Sequence, residues 1–359
     1  MRRVLRLAKR GRGRVSPNPL VGAVILKENK IIGQGFHAKF GEAHAEVRAI
    51  ASAEGELKGA TLYVNLEPCS HHGKQPPCVE KIVQHGIKKV VIGTTDRNPL
   101  VQGRGIAFLR RHGVTVQVGV LEDKCRELNE AFFKHVTTGV PLVTLKVAQT
   151  VDGRIATAAG GSRWITSEKA RRMVHKLRSE QDAVLVGVGT VLADDPQLTV
   201  RLTSGRHPRR FVVDSRLRLP LRSRLLSDEL AEQTVVATTE RASPEKIQAV
   251  EATGATVWKI PADEHGRVSL RALLRRMGEA GITSVLVEGG SEVFSSFLRN
   301  NLADRVAIFV APKILGDGLC SFHDSGFHDL EQSIRIHDMV PRRVGPDVLL
   351  TGRIHVEAN

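Results

Sequence analysis

The sequence predicts an α/β protein of two domains, on three observations. Apolar runs typical of strands alternate with helical patterns through both halves of the chain. A small, polar, proline-containing stretch, TTGVP at residues 137–141, separates the two alternations. The length of 359 residues, with 41% hydrophobic and 25% charged positions, is enough for two cores and excludes a disordered chain. We therefore expect one domain over residues 1–139 and another over residues 142–359.

The first half reads as a β-hairpin followed by alternating helices and strands. Two apolar runs in residues 20–37 are joined by a polar turn at residues 27–30, which is typical of a hairpin. The segments that follow are a helix over HAEVRAIASAE, a strand over TLYVNLEP, a helix over CVEKIVQHG, a strand over KKVVIGTTD, a strand over GVTVQVGVL and one helix over EDKCRELNEAFFKHV.

The second half restarts the alternation, which predicts a second sheet. The predicted strands are LVTLKVA, AVLVG, FVVDS, TVVATT, TVWKIP, SVLVEGG and RVAIFVAP. The predicted helices are SEKARRMVHKLRSE, opened by Ser167, then PEKIQAVEATG, SLRALLRRMGEAG and EVFSSFLRNN. Gly187-Val188-Gly189 follows a strand, but TVLADDP after it predicts no helix and brings no third glycine, so a dinucleotide-binding fingerprint is absent.

The basic charge of the chain is concentrated near its beginning. Residues 1–140 hold 23 Lys+Arg against 12 Asp+Glu, whereas residues 141–359 hold 30 against 26. Apolar residues at helical spacing within the first eight positions favour a packed helix with a solvated basic face over a targeting peptide or a nucleic-acid arm. No apolar run approaches the roughly 18 residues of a membrane span. Four cysteines are too few for a disulfide framework, so we expect a cytoplasmic protein.

One cluster in the first half indicates a catalytic zinc site. His44 and Glu46 precede an apolar helical pattern, and Cys69 and Cys78 flank a loop, with Cys78 opening a helix after two prolines. A thiol at a helix start has its pKa lowered, which favours the thiolate that a metal needs. One imidazole and two thiolates suit zinc and leave one position for a water whose pKa falls to roughly 7. A carboxylate beside such a site relays the proton in zinc base deaminases.

Structural interpretations of these residues stay open at this stage. A closed zinc site would take His71, His72 or Cys125 as its fourth ligand and would have no need of Glu46. A histidine or asparagine after a strand, such as His37 or Asn18, is usually a satisfied polar group.

The motifs of the first half resemble one family. NPLVG at 18–22, HAE at 44–46 and EPCSHHGKQPPC at 67–78, with its C-x8-C spacing, closely resemble the deaminase half of the bifunctional riboflavin-biosynthesis deaminase/reductases. The resemblance implies a three-layer domain of the cytidine deaminase type that deaminates a phosphoribosylaminopyrimidine. It implies that zinc is bound by His44, Cys69 and Cys78, that Glu46 moves the proton, and that substrate contacts come from Asn18, His37 and Lys74.

The residues of the second half indicate less. SVLVE runs into Gly289-Gly290-Ser291 and a helix, an arrangement whose backbone amides can hold a phosphate. A purely structural domain is an equal alternative on this spacing. Lys146 and Glu288, taken as ionisable groups at strand ends, are candidates for proton handling. Arg178 suits a phosphate but could be solvated, and Trp164 suits a ring stack but could be core.

Further motifs resemble the reductase half of the same family. They are KVAQTVDGRIA (146–156), SRWITS (162–167), GVGTVLADDPQLTVR (187–201), VVDS (212–215) and VEGG (287–290). The resemblance implies a fold similar to dihydrofolate reductase that uses NADPH to reduce the ribosyl group to a ribityl chain. It implies cofactor contacts from Ala148, Trp164, Thr190, Asp194, Ser215, Gly290, Ser291, Glu292, Val293, Phe294, Ser295 and Ser296. It implies substrate contacts from Ser162, Arg178, Leu198, Arg201 and Glu288.

The sequence therefore predicts a two-step enzyme of riboflavin biosynthesis with Zn²⁺ and NADPH as cofactors. We expect it to bind a small phosphoribosylaminopyrimidine and to bind neither nucleic acid nor a membrane. A homo-oligomer is possible on this sequence. Ser215-Arg216 at a strand end could receive the 2′-phosphate of NADPH. The alternatives are a nucleic-acid or nucleotide zinc deaminase with an accessory domain, and a zinc-stabilised scaffold without activity.

Overall fold

The computed structural model describes residues 1–70, 76–99, 101–323, 326 and 329–354. The chain divides into two compact units, Met1–Val140 and Pro141–Asn359. Along the described residues, no helix combines the length and the apolarity that a bilayer crossing requires.

The first unit is a five-stranded mixed sheet covered by helices. Its helices are α1 (Arg2–Ala8), α2 (Ala45–Ala51), α3 (Cys78–Gln84), α4 (Arg104–Arg111), α5 (Glu122–Leu128) and α6 (Glu130–Thr138), with a 3-10 turn at Lys9–Gly11. Its strands are β1 (Gly22–Lys27), β2 (Lys30–Phe36), β3 (Thr61–Leu66), β4 (Lys89–Thr94) and β5 (Thr115–Val118). The strand order is β2-β1-β3-β4-β5, in which β1 is antiparallel to both neighbours and β3, β4 and β5 are parallel. The predicted hairpin is confirmed.

The alternation of side chains along β1 places helices on both faces of this sheet. Ala23 and Ile25 belong to the core cluster that includes residues of α2, α3 and α4, whereas Val24 packs against Val4 and Leu7 of α1. The predicted basic helix is thus confirmed: α1 buries its apolar side and exposes its arginines.

Two features of the first unit differ from the sequence prediction. The single helix predicted over residues 122–136 is two helices, α5 and α6, which meet at Asn129. The Asn129 side chain accepts the N–H of Leu20 at 2.7 Å and donates to the Leu20 carbonyl at 3.0 Å, so a contact 109 residues away fixes the break. Helix α4 was not predicted.

The second unit contains a nine-stranded sheet and a two-stranded ribbon. Its helices are α7 (Glu168–Glu180), α8 (Val188–Asp194), α9 (Arg224–Ser227), α10 (Pro244–Glu251), α11 (Leu270–Glu279) and α12 (Ser291–Arg299), with 3-10 turns at Ala231–Gln233 and Leu330–Gln332. Its strands are β6 (Leu142–Thr150), β7 (Arg154–Ala156), β8 (Ala183–Gly187), β9 (Arg209–Val213), β10 (Thr234–Thr238), β11 (Thr256–Lys259), β12 (Ser284–Gly289), β13 (Arg305–Ala311), β14 (Leu319–Cys320), β15 (His337–Val344) and β16 (Asp347–Arg353). The order is β11-β10-β9-β8-β12-β6-β13-β16-β15, parallel as far as β13 and antiparallel from there, with β14 and β7 forming the ribbon.

One helix of the second unit begins at its predicted cap, and another begins where no helix was predicted. The hydroxyl of Ser167 accepts the N–H of Ala170 and begins α7 as predicted. The prediction that no helix follows Gly187 is wrong, because α8 begins there with a buried apolar side formed by Val188 and Val191. Burial against the sheet outweighs the low helix propensity of Gly189.

Candidate functional site

Three side chains of the first unit converge as the sequence predicts. His44 is the N-cap of α2, Cys69 follows β3 and Cys78 is the first residue of α3. The His44 Nδ1 atom lies 3.3 Å from the Cys78 Sγ atom and 3.5 Å from the Cys69 Sγ atom. Their possible ligand atoms all lie within 4.8 Å of one another. One nitrogen and two sulfur donors at this spacing fit a tetrahedral zinc ion.

Two glycines allow α2 to approach the sheet closely beside this cluster. A Cβ atom on Gly33 of β2 would lie 2.4 Å from the Ala49 carbonyl oxygen, and one on Gly35 would lie 2.6 Å from the Ala45 carbonyl oxygen. Contacts this short do not occur, so only glycine permits the observed packing. The position of His44 at the start of α2 depends on this packing.

Glu46 lies in the first turn of α2 and is 3% exposed. Burial raises the pKa of Glu46 to about 7. Hydrogen bonds from Cys78 and His44 lower the pKa of Cys69 to about 4, whereas the hydrogen bond to Cys69 and burial raise the pKa of Cys78. The lower pKa expected for Cys78 from its place at a helix start stays a prediction, because the two thiols share one hydrogen bond that acts on both pKa values.

The other predicted residues of the first unit divide into three cases. Asn18 Nδ2 and His37 Nε2 lie 3.1 Å apart, and the His37 ring lies 5.4 Å from the His44 ring, so this pair lies beside the cluster. Cys125 is buried on α5 and is not in the cluster, which removes it as a fourth ligand. His71, His72 and Lys74 lie outside the described residues.

Glu67 is a buried carboxylate for which the sequence predicted no role. It is 3% exposed, and its two oxygens accept backbone N–H groups from Asp96 at 3.2 Å, Gly103 at 3.0 Å, Gly105 at 2.9 Å and Ile106 at 3.2 Å. It therefore ties the residues before Cys69 to the start of α4. The signal that could have found it is an acidic residue at the end of an apolar strand, directly before Pro68-Cys69.

In the second unit, Glu288 near the end of β12 forms ion pairs with two cationic side chains. Its carboxylate lies 3.0 Å from Lys146 Nζ and accepts from Arg178 at 2.5 Å and 2.9 Å. Burial alone would raise the pKa of Glu288, but the charges of Arg178 and Lys146 hold it well below its usual range. Arg178 is thus paired rather than solvated. The prediction that Lys146 ends a strand is wrong, because it lies in the middle of β6.

A short segment without regular structure follows α8 and carries Arg201. Thr199 accepts from Arg178 through its carbonyl at 3.0 Å and from Arg201 through its hydroxyl at 2.5 Å. His175 of α7 accepts the N–H of Arg201 at 2.8 Å. The structure thus brings Arg178, Arg201 and Glu288 together, and Leu198, also predicted, is buried within the same segment.

The predicted cofactor residues gather at the carboxyl ends of the parallel strands. Gly290 caps α12 between β12 and the helix, and Thr190 of α8 lies beside it. Asp194 at the end of α8 accepts from the Ser162 hydroxyl at 2.6 Å. Strand ends and a helix N-terminus are where α/β sheets bind nucleotides.

Helix α12 carries the rest of the predicted segment. Val293 packs against Gly187, and Phe294 is buried against Gly289. Ser291 and Glu292 contact the His323 ring at 2.6 Å and 2.9 Å, which the sequence did not predict. The remaining predicted members of this segment are Ser295, which is buried and accepts the His323 N–H, and Ser296.

Three further predicted residues lie at surface positions or strand ends. Trp164 is 61% exposed, with the Arg171 guanidinium 4.3 Å from its ring centre, so the core alternative is excluded. Ser215 follows β9 and accepts the N–H of Val268 at 3.0 Å, beside the exposed Arg216. Ala148 lies on β6 and is half-buried.

Comparison with known proteins finds a family match for each of the two units. Residues 1–94 match the cytidine and deoxycytidylate deaminase zinc-binding region, and residues 141–350 match the RibD C-terminal domain. The riboflavin biosynthesis protein RibD of Aquifex aeolicus is 44% identical over 98% of this chain and 96% of its own length. The Escherichia coli RibD is 39% identical over 98% of this chain and 97% of its own.

Solved structures give the same result. The diaminohydroxyphosphoribosylaminopyrimidine deaminase/5-amino-6-(5-phosphoribosylamino)uracil reductase of Thermotoga maritima superposes with a TM-score of 0.86 at 43% identity, covering 99% of this chain and 97% of that one. RibD of Acinetobacter baumannii gives 0.88 at 37% identity, covering 99% and 98%. The fold is therefore a cytidine-deaminase-like unit followed by a reductase unit of the dihydrofolate reductase type, and the cofactors are zinc and NADPH. The two units, the cluster of cysteines and histidine and the full-length similarity together show that this chain belongs to the RibD family of bifunctional deaminase/reductases of riboflavin biosynthesis.

Proposed function

We propose that the two halves of the chain act in succession on one phosphorylated pyrimidine. Residues 1–139 would deaminate 2,5-diamino-6-(5-phosphoribosylamino)pyrimidin-4-one, and residues 142–359 would reduce the ribosyl group of the product to a ribityl chain. The substrate is that in the name of the Thermotoga maritima relative. The observation that carries the first step is a buried carboxylate, Glu46, beside three side chains that fit zinc.

In the deaminase, His44, Cys69 and Cys78 would hold the zinc ion. Bound zinc supplies a water activated near neutral pH. Glu46 would take a proton at its carboxylate and donate it to the leaving amine, which needs a carboxyl group shielded from bulk water. Asn18 and His37 lie beside the cluster and would orient the pyrimidine, and Lys74 would contact the phosphate.

In the reductase, the reaction adds one hydride from NADPH and one proton to the sugar. Lys146 would donate the proton, and Glu288 would hold Lys146 and Arg178 in place through the observed ion pairs. Arg178, Arg201, Ser162 and Leu198 would bind the substrate.

The cofactor would lie along the strand ends of the second unit. We assign its contacts to Ala148, Trp164, Thr190, Asp194, Ser215 and residues 290–296. The α12 N-terminus supports the diphosphate part of this assignment, because its backbone N–H groups favour an anion. The proposal includes a cytoplasmic location and no nucleic-acid partner.

The decisive experiment is to incubate the purified protein with the diaminopyrimidinone ribosyl phosphate, with and without NADPH, and to identify the products. We expect ammonia and the ribosyl uracil without NADPH, and the ribityl product with it. Glu46→Ala should lower deamination by roughly 10² to 10⁴-fold and retain about one zinc per chain. The exposed Glu54→Ala should change neither activity nor metal content. Deamination by zinc-free protein would refute the assignment.

A further inference from the structure

The segment after α8 that carries Arg201 lacks the hydrogen bonds of a helix or strand. Residues 199–201 form neither element, so their backbone N–H groups need other acceptors. Two histidine rings accept two of these groups: His207 Nδ1 accepts the N–H of Val200 at 3.0 Å, and His175 Nδ1 accepts that of Arg201 at 2.8 Å. A ring nitrogen that accepts a backbone N–H carries no proton of its own.

Thr199 connects the two arginines of the proposed substrate site. It is 5% exposed, its carbonyl oxygen accepts from Arg178 Nη1 at 3.0 Å, and its hydroxyl accepts from Arg201 Nη1 at 2.5 Å. One residue therefore orients two guanidinium groups. Fixing long side chains before a ligand arrives removes part of the entropic cost of binding.

The charges around Thr199 do not balance. Glu288 pairs with Arg178 and Lys146, whereas Arg201 is exposed and, within the described part of the chain, has no carboxylate partner. His175 adds no charge, because burial and the nearby Arg178 and Arg201 lower its pKa to about 4. Arg224 also acts on Arg201 but pairs with Asp195 at 3.6 Å. Lys146, Arg178 and Arg201 thus face one carboxylate, and an anion with two charges would balance them.

We propose that Thr199 and His175 are positioning residues that orient Arg201 beside Arg178 for the phosphate of the reductase substrate. Neither residue contacts the reacting atoms. Thr199 acts through the two guanidinium groups, and His175 acts through the backbone of Arg201. This inference rests on the proposed function in one respect, the phosphate group of the substrate.

The test compares the deaminated ribosyl phosphate with the same compound lacking its phosphate, in the NADPH-dependent step of the full-length protein. Thr199→Val removes the hydroxyl acceptor at nearly constant volume. We expect it to raise KM for the phosphorylated substrate about tenfold, with kcat nearly unchanged and no effect on the compound lacking phosphate. Thr199→Ser keeps the hydroxyl and should behave as the wild type. His175→Leu should reproduce the Thr199→Val pattern.

Thr234→Val is the matched control. Thr234, the first residue of β10, is also buried and its hydroxyl donates to the Leu225 carbonyl at 2.9 Å, and among the described residues it makes no hydrogen bond to Arg178 or Arg201. Thr234→Val should lose about as much stability as Thr199→Val, but it should keep the wild-type preference for the phosphorylated substrate. Equal losses for both substrates in Thr199→Val, or an unchanged preference, would overturn the proposal.

A second measurement does not depend on turnover. Inorganic phosphate should stabilise the wild type and Thr234→Val against urea, followed by tryptophan fluorescence, and should stabilise Thr199→Val much less. If the wild type reduces neither compound yet phosphate gives this pattern, the proposed function fails and the positioning role stands. If all three proteins respond equally to phosphate, the positioning role is wrong.

Discussion

Replacing Glu67 by glutamine should loosen the deaminase unit near its metal site without disturbing the reductase. The carboxylate accepts four backbone N–H groups at 2.9–3.2 Å, from residue 96 and from the start of α4. Glutamine offers only one side-chain oxygen as an acceptor. Its NH2 group would face backbone N–H groups, and two donors cannot form a hydrogen bond with each other. About two of the four hydrogen bonds are therefore lost inside a buried site.

The size of the effect follows from the kind of hydrogen bond. Hydrogen bonds to a charged group contribute about 1.5–3 kcal/mol each, and losses at one site do not add fully. We expect a decrease of about 3 kcal/mol in the free energy of local opening around residues 96–106. Since 1.4 kcal/mol is a factor of ten, amide exchange there should accelerate about 100-fold where local opening controls it.

Hydrogen exchange read by mass spectrometry measures this directly in the full-length protein. The peptides covering residues 96–106 should exchange faster, and a chelator should remove zinc sooner, because Glu67 lies two residues before Cys69. Exposed Glu54→Gln makes the same chemical change without a buried contact and should do neither. Unchanged exchange in Glu67→Gln would show that this carboxylate does not hold the start of α4.

Three further predictions concern other parts of the chain. Lowering the pH from 7.5 to 5 should reduce the free energy of unfolding of the second unit in urea by about 2 kcal/mol through His175. The pKa of His175 is about 4 in the folded protein and 6.5 in the unfolded chain, so the unfolded chain binds the proton first as the pH falls. His175→Gln should remove this part of the pH dependence when unfolding is followed by tryptophan fluorescence. Arg216→Ala should lower the preference for NADPH over NADH about tenfold in steady-state kinetics, whereas the exposed Arg275→Ala should not. Neutralising the exposed cations of residues 2–9 should leave deamination unchanged, and sub-micromolar RNA binding by the wild type at physiological salt would contradict the structural interpretation of α1.

The parts of the fold predicted correctly are those fixed by local patterns. The hairpin of β1 and β2 and the cap of α7 by Ser167 follow from alternation and capping residues next to each other in the chain. The break at Asn129 depends on Leu20, and α8 depends on burial against the sheet. No local pattern carries that information, because distant residues make these contacts.

In the candidate sites too, features set by local sequence could be predicted and features set by distant contacts could not. The cluster of His44, Cys69 and Cys78 could be predicted because the donor types and the helix starts are both visible in the sequence. The connection of Thr199 to two arginines could not, because it needs the backbone path of a segment without periodicity. Threonine and histidine in such a segment carry no signal of their own.

Because β2 packs closely against α2, the amount of metal bound should depend on two glycines of the strand, Gly33 and Gly35, which have no side chain. A methyl group needs roughly 3.4 Å, so alanine at Gly35 would push α2 outward by roughly 0.8 Å from its 2.6 Å contact, whereas zinc ligands tolerate distance errors of about 0.2 Å. A substitution in the strand would therefore behave as an active-site mutation while touching neither zinc ligand nor substrate. Variants found by screening for lost deamination should include Gly33 and Gly35 beside the residues that perform the chemistry.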